Sequence, residues 1–167
     1  MKKISYSWAL LAATAWVGGM WSIGYLAAPV LFQTLEDRQL AGALAGKLFT
    51  LVANLGIACA LYLLAYYFVQ LGTRALRQKV VWVIASMLLL TLFGKFGIQP
   101  IMADLKVQAL PLEVMHSAFA GQFRIWHGVA SIIYLVQSLL GIVLILKVSV
   151  PELNEPELNE PAKSAGD

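Results

Sequence analysis

The fold is decided by residues 119–148, whose sequence is FAGQFRIWHGVASIIYLVQSLLGIVLILKV. Residues 128–146 of this stretch contain no charged side chain. At about 1.5 Å per helical residue the uncharged run is about 28 Å long, close to the thickness of a bilayer's hydrocarbon core. Arg124, Trp126 and His127 stand immediately before the run. The stretch therefore predicts a membrane-spanning helix with polar residues at its entrance.

The whole chain has the composition of a membrane protein. Of its 167 residues 60% are hydrophobic and 13% are charged, whereas soluble domains carry about 25% charged residues. Three further apolar stretches lie N-terminal to residues 119–148, and no polar domain separates them. This pattern predicts an all-α bundle with four transmembrane spans. We expect one domain of residues 1–148, with spans at about 8–32, 40–71, 80–103 and 112–147. Residues 149–167 are acidic, rich in proline and repeat PELNE, which predicts a disordered tail.

The basic residues near the span ends predict the orientation. Lysine and arginine are concentrated before the first span and in the loop after the second, whereas the first and third loops carry one basic residue each. By the positive-inside rule both termini are cytoplasmic, and the protein is a multi-pass protein of the inner (plasma) membrane. The residues that decide this are Lys2, Lys3, Arg74, Arg77 and Lys79 on one side, and Arg38 and Lys106 on the other.

In this orientation the polar residues within or beside the spans gather at the outer end, and the inner halves of the spans hold almost none. The residues concerned are Lys47, Lys95, Arg124, His127 and Ser131. Cations on three helices around one opening predict a site for an anionic small molecule, a lipid head group or a partner membrane subunit. Two alternatives are open: the lysines snorkel to lipid phosphate, or nearby acids pair with the cations and only fasten helix ends.

The two histidines are the candidates for binding a metal ion or haem iron. His116 and His127 are eleven residues apart, about 16 Å on one helix, so they cannot chelate one ion together. His127 with a Met, Cys or carboxylate from another helix would ligate copper, zinc or haem iron. A haem- or copper-binding membrane protein is therefore the second hypothesis. A histidine that only packs or hydrogen-bonds at the helix entrance is the alternative.

Other functional classes have less support in the sequence. No catalytic motif such as HExxH, GxSxG or a P-loop occurs, so we expect a protein that is not an enzyme. The basic residues are scattered among the spans, which argues against nucleic-acid binding. A small transporter or permease is the third hypothesis, although the spans hold no carboxylate for a proton relay. Small residues predict close helix packing, in this bundle or with a second copy, at Gly18, Gly19, Gly42 and Gly46.

Several short motifs resemble one family. They are WVGG at 16–19, APVLF at 28–32, AGALAGKLF at 41–49, QPIMADL at 99–105 and FRIWHGVAS at 123–131. The chain resembles the bacterial family called domain of unknown function 4149, which is related to the eukaryotic transmembrane protein 205 group, over about residues 8–146. The resemblance implies a four-helix integral membrane protein of unknown activity, with the family's histidine and serine at His127 and Ser131. There is also a distant similarity to copper-resistance membrane domains.

Overall fold

The computed structural model describes residues 2–110 and 112–149, with side chains from Tyr6 onward. These residues form four long helices and no strand. Helix α1 covers residues 2–34 and α2 covers Arg38–Leu71, followed by a 3₁₀ turn at Gly72–Arg77. Helix α3 covers Lys79–Ala109 and α4 covers Ala120–Ser149. Both α1 and α3 contain a π-helical turn, at Ser22–Ala27 and at Phe93–Ile98.

The four helices are long enough and apolar enough to cross a membrane. The prediction of an all-α bundle with four spans is therefore confirmed. The tail that we expected to be disordered lies outside the described residues from position 150 onward. Ser149, which we had assigned to the tail, is the last residue of α4.

The helices form an antiparallel ring in which α1 packs on α2 and α4, and α3 packs on α2 and α4. The hydroxyl of Tyr6 donates to the carbonyl of Val148 at 2.8 Å. The start of α1 and the end of α4 therefore lie at the same end of the bundle, which we call the proximal end. The opposite end, with the loops at residues 35–37 and 110–119, is the distal end.

The apolar core fills the proximal half of the bundle. Each helix contributes a side chain that is at most 2% exposed, namely Trp16, Leu63, Ile84 and Leu144. The distal half is packed less closely, and α4 has no fully buried residue before Gln137. The distal half is therefore where polar groups are accessible.

Local sequence signals explain the ends of α2. Asp37 caps its start, because the Oδ1 atom accepts the backbone N–H groups of Gln39 at 2.8 Å and of Leu40 at 3.0 Å. Gly72 ends it with a φ of 55°, a conformation that glycine adopts without a side-chain penalty.

The distal loop between α3 and α4 differs from the expected boundaries. Helix α3 continues past the expected end near residue 103 to Ala109, with Leu105 buried and a hydrogen bond from Gln108 Nε2 to Asp104 Oδ2 at 2.6 Å. Helix α4 begins at Ala120 and not near residue 112. The residues before it form a 3₁₀ turn at Val114–His116 and a further turn in which the Ser117 hydroxyl oxygen accepts the N–H of Phe119 at 3.2 Å, so the helix begins only after this turn.

Candidate functional site

The most extensive group of polar side chains in the distal half joins α2 to α3. We call it the polar seam and define it as Lys47, Thr50, Asn54, Lys95 and Gln99. The ammonium of Lys95 donates to Oδ1 of Asn54. One turn closer to the distal end, the Thr50 hydroxyl lies 3.2 Å from Oε1 of Gln99 and 2.9 Å from the carbonyl of Gly46. Two successive rungs therefore connect the helices, and exposed Lys47 lies two turns before Asn54 on the same face of α2.

The seam presents hydrogen-bond donors almost exclusively. Lys95 is a pure donor, so the oxygen of the Asn54 amide must face it and the amide NH₂ group is turned away. The Thr50 hydroxyl has a single proton, which its shorter contact with the Gly46 carbonyl uses, so either end of the Gln99 amide can face it. The NH₂ group of Asn54 has no acceptor among the residues that the structure describes. A group with several acceptor oxygens would match these donors.

The lysines of the seam are not neutralised. Within residues 2–110 and 112–149 the one ion pair joins His116 to Glu113, at 3.9 Å. No described carboxylate therefore lies within 4 Å of the ammonium of Lys47 or of Lys95. Lys95 instead lies 5.0 Å from the ring centroid of Phe96, which is 65% exposed. The alternative in which nearby acids pair with the cations is not supported by this geometry.

Lys106 is a further cation that the sequence analysis counted only as a loop residue. It lies near the distal end of α3, half-buried, and its ammonium donates to the carbonyl of Gly42 on α2 at 3.2 Å. The same ammonium is 5.7 Å from the ring centroid of Phe123 on α4. Lys106 thus connects three helices. Lys106 lies eleven residues, or about three helical turns, after Lys95. This spacing could have placed both lysines on one face of α3 from the sequence.

The remaining expected site residues lie on α4, away from the seam. Arg124 and His127 are both exposed. The imidazole of His127 stacks on the Phe123 ring, with centroids 6.0 Å apart and planes 9° apart. The Ser131 hydroxyl donates to the backbone carbonyl of His127 at 2.8 Å, so it contacts the helix and not the ring. Among the described residues no hydrogen bond, ion pair or ring contact joins these residues to Lys47 or Lys95, and their binding role stays a prediction.

The comparison with protein families decides the relationship. Residues 11–111 match the model of the family described as Domain of unknown function (DUF4149). The chain belongs to this family. No curated protein and no solved structure matches the chain. The matched segment of this DUF4149 protein contains the whole polar seam and Lys106, whereas Arg124, His127 and Ser131 on α4 lie beyond it.

The histidines of the DUF4149 bundle do not lie in a chelating set. In the described part of the chain no group of three or more His, Cys, Asp or Glu side chains lies together. His116 sits in the loop before α4 with its side chain 76% exposed, and the α4 helix that carries His127 begins only after it. The two histidines therefore do not share one helix as expected.

Glycines of the DUF4149 bundle differ in how closely a neighbour approaches. An added β-carbon would meet nothing within 4 Å at Gly18 or Gly46, would lie 3.3 Å from Leu55 at Gly19, and would lie 3.4 Å from the ammonium of Lys106 at Gly42. The tightest contacts occur elsewhere, where a β-carbon would overlap a ring. These glycines are Gly56, against Trp16, and Gly24, against Tyr134.

The middle of the bundle contains polar contacts that the sequence analysis missed. Gln137 and Thr91 are each 7% exposed, and Nε2 of Gln137 bonds to the Thr91 hydroxyl and to the carbonyl of Met87, the latter at 3.2 Å. On the α1 side the Tyr25 hydroxyl donates to Oγ of Ser138 at 2.9 Å. Gln137 lies about 15 Å along α4 from Lys147, near the middle of a span. Polar groups are therefore not confined to the distal end.

Proposed function

We propose that this DUF4149 protein is a non-enzymatic inner-membrane protein that binds an anionic ligand along the polar seam. The observation that carries the proposal is the pair of donors at Lys95 and Asn54, which has no carboxylate beside it among the described residues. A charged ammonium near hydrocarbon is costly unless a partner of opposite charge is present. An anionic ligand would supply that charge, and its oxygens would accept from the free NH₂ group of Asn54.

Three of the four acids near the distal end have other partners, and the fourth, exposed Glu36, is not within 4 Å of either seam lysine, which favours ligand binding over internal pairing. Asp37 accepts the backbone N–H groups that cap α2. Asp104 accepts from Gln108 one turn further along α3. Glu113 faces His116 in the loop before α4. The cations of the seam are thus left to an external partner, and Lys106 and Arg124 would add positive charge at the distal end, where His127 would add a hydrogen-bonding group.

The proposal includes the orientation. Arg74 and Arg77 lie in the 3₁₀ turn at the proximal end, and Lys79 begins α3 beside them. This concentration of positive charge supports a cytoplasmic proximal end with both termini inside, and a distal seam on the outer side. A distant relationship to the transmembrane protein 205 group is part of the same proposal and rests on the motifs quoted above.

Thermal unfolding of the purified chain in mild detergent tests the proposal. Wild type, Lys95→Met and the control Lys79→Met are titrated with inorganic phosphate and, separately, with phosphatidylglycerol. Lys79 is an exposed cation on the same helix at the other end. A ligand at about one hundred times its dissociation constant stabilises the native state by about 2.7 kcal/mol. We expect that stabilisation in wild type and Lys79→Met, and its loss in Lys95→Met.

The same titration defines the contrary result. If neither ligand stabilises wild type more than Lys95→Met, the seam does not bind an anion. Arg124→Met separates the seam from the rim of α4: a partial loss would mean that the guanidinium contributes to the same site, and an unchanged titration would restrict the site to α2 and α3.

A further inference from the structure

The seam lies at the depth of the phosphate and ester groups of a membrane lipid. Lys95 is about 24 Å beyond Lys79 along α3, and Asn54 is about 26 Å from Leu71 at the proximal end of α2. A hydrocarbon core is about 30 Å thick. The Lys95–Asn54 pair therefore lies a few ångströms inside the distal boundary of the core. A membrane lipid already holds its own phosphate and ester groups at that level.

A second cation lies on the other side of the same boundary. Lys47 is exposed and stands about 10 Å further toward the distal end than Asn54, on the same face of α2. Its flexible side chain can turn back toward the seam, whereas Lys95 is held by the Asn54 amide. The two ammonium groups can thus approach one phosphate from above and from below.

Proximal to the seam the surface along α2 and α3 is apolar. On α2 the face of Asn54 continues with Ala58 and Leu61, four and seven residues further on, and both are exposed. On α3 the residues three and seven positions before Lys95 are Leu92 and Leu88, both half-buried. We call these four residues the apolar strip. Hydrogen-bond donors thus lie directly distal to the apolar strip. This arrangement is complementary to a molecule with a polar head and an apolar chain.

We infer that the ligand of the seam is an anionic glycerophospholipid, whose phosphate is held by Lys47, Lys95 and Asn54 and whose acyl chain lies over Ala58. This inference rests on the proposed function and specifies the ligand's class. The negative head group of the lipid matches the positive charge of the seam. Its acyl chain matches the apolar strip on the proximal side of the seam. A groove between α1 and α2 serves as a comparison site for uncharged lipid binding. It has a volume of about 550 Å³ and no charged side chain lines it. Its lining residues are Trp8, Leu11, Ala12, Ala15 and Tyr62.

Native mass spectrometry of the full chain in mild detergent tests the inference with three probes. They are palmitoyl-oleoyl phosphatidylglycerol, phosphatidylcholine with the same chains, and soluble glycerol phosphate. The variants are Lys95→Gln, which removes the charge, and Ala58→Phe, which fills the apolar strip. Their controls are Lys79→Gln at the proximal end of α3, and Ala15→Phe, which fills the uncharged groove.

We expect wild type to bind phosphatidylglycerol roughly tenfold more tightly than phosphatidylcholine, because the choline of the latter places a positive charge beside Lys47 and Lys95. Lys95→Gln should abolish this preference. Ala58→Phe should weaken phosphatidylglycerol binding and leave glycerol phosphate unaffected, while both control variants bind as wild type does. If glycerol phosphate binds as tightly as phosphatidylglycerol and Ala58→Phe changes nothing, the seam binds anions but the lipid assignment is wrong. If no probe depends on Lys95, both the assignment and the proposed function are wrong.

Discussion

Gly56→Ala is the sharpest test of how α1 and α2 pack. A β-carbon at Gly56 would overlap Nε1 of Trp16 and lie 2.9 Å from Cδ1 of the same indole, whereas ordinary contacts begin at 3.4 Å. Trp16 is 2% exposed and belongs to the proximal core, so it has no space into which to move. The two helices must therefore separate to accept the methyl group. Overpacking of this kind costs about 1–3 kcal/mol.

The control for this variant is Gly46→Ala in the same helix. Replacing a helical glycine by alanine changes the intrinsic helix propensity by about 1 kcal/mol at either position. Nothing lies within 4 Å of the β-carbon at Gly46. The difference between the two variants therefore cancels the propensity and isolates the packing cost, so we expect Gly56→Ala to be less stable than Gly46→Ala by about 1–3 kcal/mol.

Reversible unfolding in mixed micelles with increasing dodecyl sulfate, followed by tryptophan fluorescence, measures this difference. The fluorescence of the five tryptophans follows the global unfolding transition. Equal stabilities of the two variants would show that the indole is not packed against the α2 backbone. A larger loss at Gly46 would show that the small-residue motif at 42–46 contacts a partner that the isolated bundle does not contain.

Three further predictions use the same unfolding assay. A double-mutant cycle of Gln137→Leu and Thr91→Val should give a coupling of about 0.6 kcal/mol and at most about 1.7 kcal/mol, the range for hydrogen bonds between membrane helices; zero coupling would show that the bond is not formed. Tyr134→Phe should lower the free energy of unfolding by a similar amount, because the Tyr134 hydroxyl donates to a backbone carbonyl of α1. Gly24→Ala should lower it more, since the added methyl group would overlap the Tyr134 ring. The reverse order of the two losses would contradict this geometry. Arg124→Met should leave the stability unchanged, because the side chain is exposed and has no partner among the described residues; a loss above about 1 kcal/mol would reveal an interaction not seen here.

The number and order of the spans could be read from the sequence because hydropathy alone determines them. A run such as residues 128–146 has no alternative to a span, whatever its neighbours are. The ends of the helices were harder to predict. The fourth span was expected from about residue 112, but a turn that includes Ser117 precedes the helix, which begins at Ala120. Capping depends on the conformation of a few loop residues, which hydropathy does not record.

The polar seam could not be read from charges. Lys47 and Lys95 stood out because charged residues are rare in spans, and the seam includes both of them. Asn54 and Gln99 are uncharged, and their importance depends on which residues of α2 face α3. The spacing of Thr50 from Asn54, four residues, matches that of Lys95 from Gln99 and would have indicated two rungs.

The glycine motif at 42–46 was a weaker guide than its form suggested. Small residues allow close approach only if the partner helix presents a side chain or backbone there. Gly46 faces open space, whereas Gly56, which belongs to no motif, accommodates the largest side chain of the core. Close packing is thus a property of the pair of surfaces, and one sequence motif specifies only one of them.

The two π-helical turns have a common local cause. In α1 the N–H of Ala28 donates to the carbonyl of Ile23, and in α3 the N–H of Gln99 donates to the carbonyl of Gly94, each five residues back. The next residue in both helices is proline, which has no N–H. The hydrogen-bond ladder must lose a donor at this point in any helical form, so a wider turn costs less here than elsewhere.

These turns also explain where the polar groups of the bundle lie. Lys95 is within the π turn of α3, and Gly24, against which the Tyr134 ring lies, is within the π turn of α1. Each stands five residues before its proline, Pro29 or Pro100. A widened turn redirects side chains relative to a regular helix, so it allows α3 to direct Lys95 toward α2 and allows α1 to accept a ring from α4. Irregular backbone ahead of a proline therefore accounts for the interhelical polar contacts better than the distribution of charge does.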